Sequence, residues 1–223
     1  FRSGDLEVSP DHALLAYSVD DSGGERYEIR IRDVARGTDI DTVPNAYYGI
    51  AWASDGRTLF YVRPDDVMRP SQVWRHTVGT DPAGDALVWE EPDARFDVWL
   101  GRSRSGSMIL FGSSSRITSE CHYVPADRPT EPARVIVPRV PGVTYLAEHR
   151  TGPDGGHWLI VTDARGATNG MVVRLPVGTT VDTGALDDQR WLPDAEVVVA
   201  HSDAVRIEAV EDRKSTRLNS SHV

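Results

Sequence analysis

Residues 52–62 read Trp52-Ala53-Ser54-Asp55-Gly56-Arg57-Thr58-Leu59-Phe60-Tyr61-Val62, a small polar turn running into an apolar stretch. Asp-Gly supplies the positive φ angle that a tight hairpin requires. Gly49-Ile50-Ala51-Trp52 leads into the turn, so the unit is strand, turn, strand. The same unit recurs. Leu6-Glu7-Val8 precedes Ser9-Pro10-Asp11 and Ala13-Leu14-Leu15-Ala16-Tyr17. Val98-Trp99-Leu100 precedes Arg104-Ser105-Gly106 and Met108-Ile109-Leu110-Phe111. Tyr145-Leu146-Ala147 precedes Pro153-Asp154-Gly155 and His157-Trp158-Leu159-Ile160-Val161. A fifth copy reads Val197-Val198-Val199, Ser202-Asp203, then Val205-Arg206-Ile207-Glu208-Ala209. The turn positions Asp11, Asp55, Ser105, Asp154 and Asp203 are spaced by 44, 50, 49 and 49 residues.

More strands fill each period. Tyr27, Ile29 and Ile31 alternate with Glu28, Arg30 and Arg32, a period of two with one apolar face. Gln72-Val73-Trp74-Arg75-His76-Thr77-Val78, Glu120-Cys121-His122-Tyr123-Val124 and Met171-Val172-Val173-Arg174-Leu175 take the same place in the next three units. Ala86-Leu87-Val88-Trp89 and Ala133-Arg134-Val135-Ile136-Val137 supply fourth strands. Four strands in about 45–50 residues is the arithmetic of a β-propeller blade. A β-sandwich offers no reason for so regular a recurrence. The copies lack the Gly-His and Trp-Asp pattern of WD40 blades. The expected fold is all-β: an incomplete β-propeller of about four four-stranded blades plus the start of a fifth.

Composition narrows the function classes. The 223 residues carry 34 acidic against 24 basic groups, a formal charge of −10. Phosphate-backbone binding depends on a concentrated basic patch, so nucleic acid is not an expected partner. No apolar run approaches the roughly 18 residues of a spanning helix, so no membrane partner is expected either. The lone Cys121 leaves no internal disulfide and suits a reducing, cytoplasmic setting. The chain opens at Phe1, so leader signals are not legible.

The last twelve residues, 212–223, show neither alternation nor a helical stripe, and they resemble a translated sequencing adapter. They are expected to be a disordered artefactual tail, and the Asn219-Ser220-Ser221 sequon within them then carries no meaning. Setting them aside removes three of the 24 basic and one of the 34 acidic groups, for a charge of −12. The expected organisation is a partial propeller over residues 1–211 and the tail over 212–223, a fragment of a longer protein.

Two segments carry more than general propeller character. One is Ser9-Pro10-Asp11-His12-Ala13-Leu14-Leu15-Ala16-Tyr17-Ser18-Val19-Asp20, continuing to Tyr27-Glu28-Ile29-Arg30-Ile31-Arg32-Asp33. The other is residues 52–63 with Gln72-Val73-Trp74-Arg75-His76-Thr77-Val78-Gly79-Thr80. Together they resemble the N-terminal propeller of the prolyl oligopeptidase family of serine peptidases, most closely its oligopeptidase B branch. The resemblance is clear over residues 5–125 and looser to 211. It implies a parent enzyme in which an α/β-hydrolase domain carries a Ser-Asp-His triad. A seven-bladed propeller covers that active site and admits only short peptides. The branch implies cleavage after Arg or Lys.

No catalytic residue of that parent has a matching position here. The Gly-x-Ser-x-Gly elbow of α/β-hydrolases is absent; the nearest string, Gly101-Arg102-Ser103-Arg104-Ser105, ends in Ser and sits on a hairpin. The serines of Gly112-Ser113-Ser114-Ser115 read as a polar loop. His12 and His201 read as exposed beside turns, and His76 as a packed or rim residue. Cys121 and His122 are strand neighbours pointing to opposite faces, so adjacency makes no dyad. His149 and His157 could meet across a hairpin, but no third metal ligand is indicated. The acid pairs Asp20-Asp21, Asp65-Asp66, Glu90-Glu91 and Asp187-Asp188 read as solvated loop acids. Residues 20–25 lack the ligand spacing of a calcium loop.

The sequence therefore assigns no catalytic, cofactor-binding or metal residue and no cofactor. The expected function is the non-catalytic gating part of a serine oligopeptidase acting on short, basic peptides. The expected partner is the parent's C-terminal hydrolase domain, and the fragment by itself is expected to be inactive. The alternative is a non-catalytic propeller serving as a binding or scaffold protein. A lactonase-like propeller would need a His or acid at the inner end of each blade, and no such series appears.

Overall fold

The computed structural model describes residues 2–24, 26–152, 155–181, 187–192 and 194–210. It contains four antiparallel sheets, each a four-stranded meander in chain order. The first blade holds β1 (Arg2–Val8), β2 (Leu14–Asp20), β3 (Tyr27–Asp33) and β4 (Thr38–Ala46). The second holds β5 (Ile50–Trp52), β6 (Thr58–Pro64), β7 (Pro70–Thr77) and β8 (Ala86–Glu90). The third holds β9 (Asp97–Arg102), β10 (Met108–Ser114), β11 (Ser119–Pro125) and β12 (Arg134–Val137). The fourth holds β13 (Tyr145–Arg150), β14 (His157–Thr162), β15 (Met171–Pro176) and β16 (Glu196–Val199). The helical content among the described residues is a single 3-10 turn, Pro82–Gly84. None of their helices could cross a membrane.

The hairpin turns repeat in atomic detail. Ser9 N, Ala53 N and Ser103 N each donate to the carbonyl five residues on, at 2.8, 2.8 and 2.9 Å. Asp55 accepts from the Thr58 amide at 2.8 Å and its hydroxyl at 2.6 Å. In the first blade Ser9 Oγ donates to Asp11 at 2.6 Å and accepts from Leu14 N at 2.9 Å. Gly56 takes φ +64°, and His12 takes the same left-handed place at φ 62°. Of the fourth turn, Pro153 and Asp154 lie outside the described residues.

Each sheet is apolar on both faces where blades stack. One core joins the first two blades through Ala16, Ile29 and Ile31 against Trp52, Leu59 and Tyr61. A second sets Phe60 and Val62 against Ile109 and Phe111. The third packs Leu110, Cys121 and Tyr123 against Tyr145, Trp158 and Ile160, with Trp191 added. This is why β6 and β10 read as unbroken apolar runs, since side chains on successive residues enter different seams. Polar links cross the same seams: Trp52 Nε1 donates to Glu7 O at 3.0 Å, and Ser54 N to Ala126 O at 2.7 Å.

Two strand assignments differ from expectation. Val197, Val198 and Val199 are not the inner strand of a fifth hairpin; they lie in β16, which pairs with β15 as the outer strand of the fourth blade. Residues 205–209 form no strand, only a bridge at Ser202–Val205. A triplet of valines suits a buried or an edge strand equally, and the long connection from Pro176 to Glu196 concealed its true partner. The first blade's outer strand, β4, carries no apolar alternation: it is polar and holds Pro44, which edge strands tolerate.

Candidate functional site

The nearest thing to a nucleophile constellation lies on the third hairpin turn. Ser105 Oγ stands 2.7 Å from Nδ1 of His149, which β13 of the next blade contributes. The sequence separates the two residues by almost one blade period, so stacking alone brings them together. The hydroxyl is fully engaged in the turn. It lies 2.8 Å from Ser103 Oγ and accepts from Ser107 N at 3.2 Å. His149 is 2% exposed, and burial holds its pKa below the ordinary histidine value. Its buried Nε2 has no hydrogen-bond partner among the described residues. An activated serine needs a base oriented by a third group and donors for an oxyanion. Among the described residues no acid orients this imidazole, so the pair latches two blades instead.

Buried polar groups latch the other two seams. His76, on β7, is fully buried. Its Nδ1 lies 2.7 Å from Asp85 Oδ1 and its Nε2 3.0 Å from Asp41 Oδ2, an acid of the first blade. Tyr61 Oη donates to the second oxygen of Asp85 at 2.8 Å. Between the second and third blades, Glu91 is 2% exposed and receives Ser113 Oγ at 2.6 Å and the Arg139 guanidinium. Arg139 also lies 4.0 Å over the Phe96 ring and donates its amide to Glu120 at 2.9 Å. Burial works to raise the Glu91 pKa, but the hydrogen bonds from Arg139 and Ser113 outweigh it and the net shift is downward.

Residues 2–216 match the family described as prolyl oligopeptidase, N-terminal beta-propeller domain. The chain belongs to the prolyl oligopeptidase family. This prolyl oligopeptidase propeller is 39% identical over 213 residues to dipeptidyl aminopeptidase BI of Pseudoxanthomonas mexicana, covering 95% of the chain and 27% of that protein. It is 35% identical over 191 residues to protease 2 of Moraxella lacunata, covering 83% of the chain and again 27% of the relative. Oligopeptidase B from Trypanosoma brucei, solved with covalently bound antipain, superposes with a TM-score of 0.78 at 30% identity, over 93% of this chain and 27% of that one. The Leishmania major oligopeptidase B gives 0.77 at 28%, over 90% and 27%. The chain thus spans about a quarter of the length of these relatives.

Ser113 is not in a loop; it is a fully buried strand residue, held there by Glu91 and Arg139. Glu91 is likewise no solvated acid, because its partners come from the next blade. Asp20 is buried too, its Oδ1 accepting from the amides of Ser22 and Gly23 at 2.8 and 2.9 Å. Asp65 accepts from the amides of Val67 and Arg69 at 3.1 and 2.9 Å, whereas Asp66 is exposed. Asp187 pairs with Arg190, and Asp188 accepts from the Arg165 amide at 2.8 Å. Glu25, at the end of the calcium-loop reading, lies outside the described residues.

Cys121 and His122 part company as strand neighbours do. Cys121 packs beside Tyr145, with burial pushing its thiol up to about 12, and His122 lies 5.7 Å from Phe111 in the opposite seam. His149 and His157 also diverge: His149 sits opposite Trp158 and packs on its ring, while His157 sits opposite Arg150. His12 is exposed and His201 half-buried. No group of three metal-ligating side chains gathers among the described residues.

Proposed function

We propose that this chain is the gating portion of a serine oligopeptidase similar to oligopeptidase B. In this reading, residues 1–211 belong to a propeller that screens access to a C-terminal α/β-hydrolase domain of the parent chain. That domain holds the nucleophile, acid and base. Substrates are short peptides, cut after Arg or Lys, and the acidic surface favours their approach by long-range attraction. The tail, 212–223, has no part in the activity. The free, buried Cys121 fits a cytoplasmic location.

The observation carrying the proposal is the match of residues 2–216 to a family of N-terminal propellers. The peptidase names of the relatives support a hydrolytic parent, and the structural role of Ser105 supports placing catalysis elsewhere. Hydrolysis of an arginyl chromogenic peptide tests the reading. The full-length parent should cleave it and purified residues 1–211 should not. Ser105→Ala in the parent should leave kcat within about twofold, because that hydroxyl only latches a turn. Activity in the fragment, or its loss in the Ser105 variant with the fold intact, would place catalysis on the propeller. A parent without a hydrolase domain would instead favour a scaffold role.

A further inference from the structure

The third blade draws three loops together at one end. Asp97, opening β9, pairs with Ser114, closing β10, and Ser114 pairs with Ser119, opening β11. The link entering the blade (residues 91–96) and the loop from β10 to β11 (115–118) therefore lie side by side. The link leaving it (138–144) joins them, since a meander of four strands begins and ends on the same side. Between the three lies a cavity of about 480 Å³ with an apolar lining from Phe96, Ile117 and Pro141. Small-molecule sites have volumes of roughly 300–1,000 Å³ and such linings, with a few placed polar groups.

The walls are braced. Ser115 N donates to Thr118 O at 2.8 Å, and Ser115 Oγ accepts from Thr118 N at 3.1 Å. Thr118 Oγ1 accepts from Gly142 N at 2.9 Å, which ties two of the loops together. Arg69 holds the third, donating to Phe96 O at 2.8 Å and to Glu91 O at 3.1 Å. Loops already fixed in this way lose little entropy when a ligand enters. The charge of the cavity opposes that of the chain. The chain carries −10, yet among the described residues the lining sets Arg95, Arg116 and Arg139 against one acid, Asp93. Asp93 pairs with Arg95 at 2.6 Å, and Glu91 holds Arg139. Arg116 is exposed and forms no ion pair among the described residues. A guanidinium takes a carboxylate through two parallel hydrogen bonds. An apolar hollow beside one unengaged guanidinium therefore suits an apolar group that ends in a carboxylate.

We infer that this cavity binds the C-terminal residue of a short peptide, with Arg116 on the free carboxylate and Phe96, Ile117 and Pro141 around an apolar side chain. The inference deepens the functional reading above and rests on it for the substrate class. A short peptide carries its terminal carboxylate close to the bond that is cut, whereas a long chain does not. The site thus adds recognition of length by charge to the steric screening by the propeller.

The test compares two peptides on the full-length parent, each with Arg followed by Gly-Leu, one ending in a free acid and the other in an amide. kcat/KM should favour the acid by about tenfold, as one charge-assisted contact provides, with the difference in KM. Arg116→Gln should bring the ratio close to one, and Arg116→Lys should restore part of it. Equal values for acid and amide, or a ratio unchanged in Arg116→Gln, would overturn the inference. Saturation-transfer NMR gives a second reading that needs no cleavage. N-acetyl-Gly-Leu, which holds no Arg or Lys, should give a signal with the parent that is lost in Arg116→Gln. No signal, or one that the substitution leaves unchanged, would also overturn it. A parent that binds this dipeptide through Arg116 but cuts no peptide would uphold the site while overturning the functional reading.

Discussion

Glu91 shows how a single position changes meaning on folding. Beside Glu90 it looks like a solvated acid, yet it is buried and bound by an arginine one blade further on. His76 is a similar case, its two carboxylate partners coming from separate elements. Asp85 is near His76 in sequence, but Asp41 and Arg139 lie 35 and 48 residues from the groups they meet, and only blade stacking sets that distance. The Glu91 cluster has a consequence for acid stability. Its carboxyl pKa is lowered in the fold, so its contribution is complete above the ordinary glutamate value of about 4.3. That contribution fades as pH falls through the lowered folded value. Melting the full-length parent from pH 6 to pH 3 should show a decline that Glu91→Gln shares only in part, with the variant already less stable at pH 6. Identical pH profiles for the two proteins would refute this assignment.

Elements were legible where hydrophobic pattern and turn chemistry agree. The first three hairpins follow their polar turns, and β3 buries alternate residues as its period of two requires. The outer strands β4 and β16 were not, since an edge strand needs no apolar face and its place depends on which neighbour it reaches. Gly112 illustrates a requirement between elements. A Cβ at that position would lie 2.1 Å from the Glu120 carbonyl oxygen of β11, a backbone atom that cannot swing aside. Gly112→Ala should therefore lower stability by about 1–3 kcal/mol, as overpacking does. A urea midpoint unchanged from wild type would show that the two strands can separate without loss.

At the scale of the whole molecule, each blade is stabilised by its neighbours, as in other repeat architectures. The three seams are closed by apolar clusters and polar latches. The two end faces are not: Leu6 is 63% exposed on the first blade and Leu146 50% on the fourth. Residues 1–211 made alone should accordingly melt broadly over tens of degrees and self-associate despite their net charge. Differential scanning calorimetry with light scattering reads both. A sharp two-state transition in a monomer would contradict this account.

By itself the sequence determined the repeat, the four-stranded blade, the all-β class and the family resemblance. These depend on the alternation and turn residues within about 50 positions, which act locally. Tertiary structure alone decided that Ser105 meets His149, that Glu91 meets Arg139 and His76 meets Asp41 from an adjoining blade, and that the three valines close the fourth blade. Those outcomes depend on how one sheet lies on the next. Contacts across a seam join residues a blade period apart, and no pattern within a strand records which of them will meet.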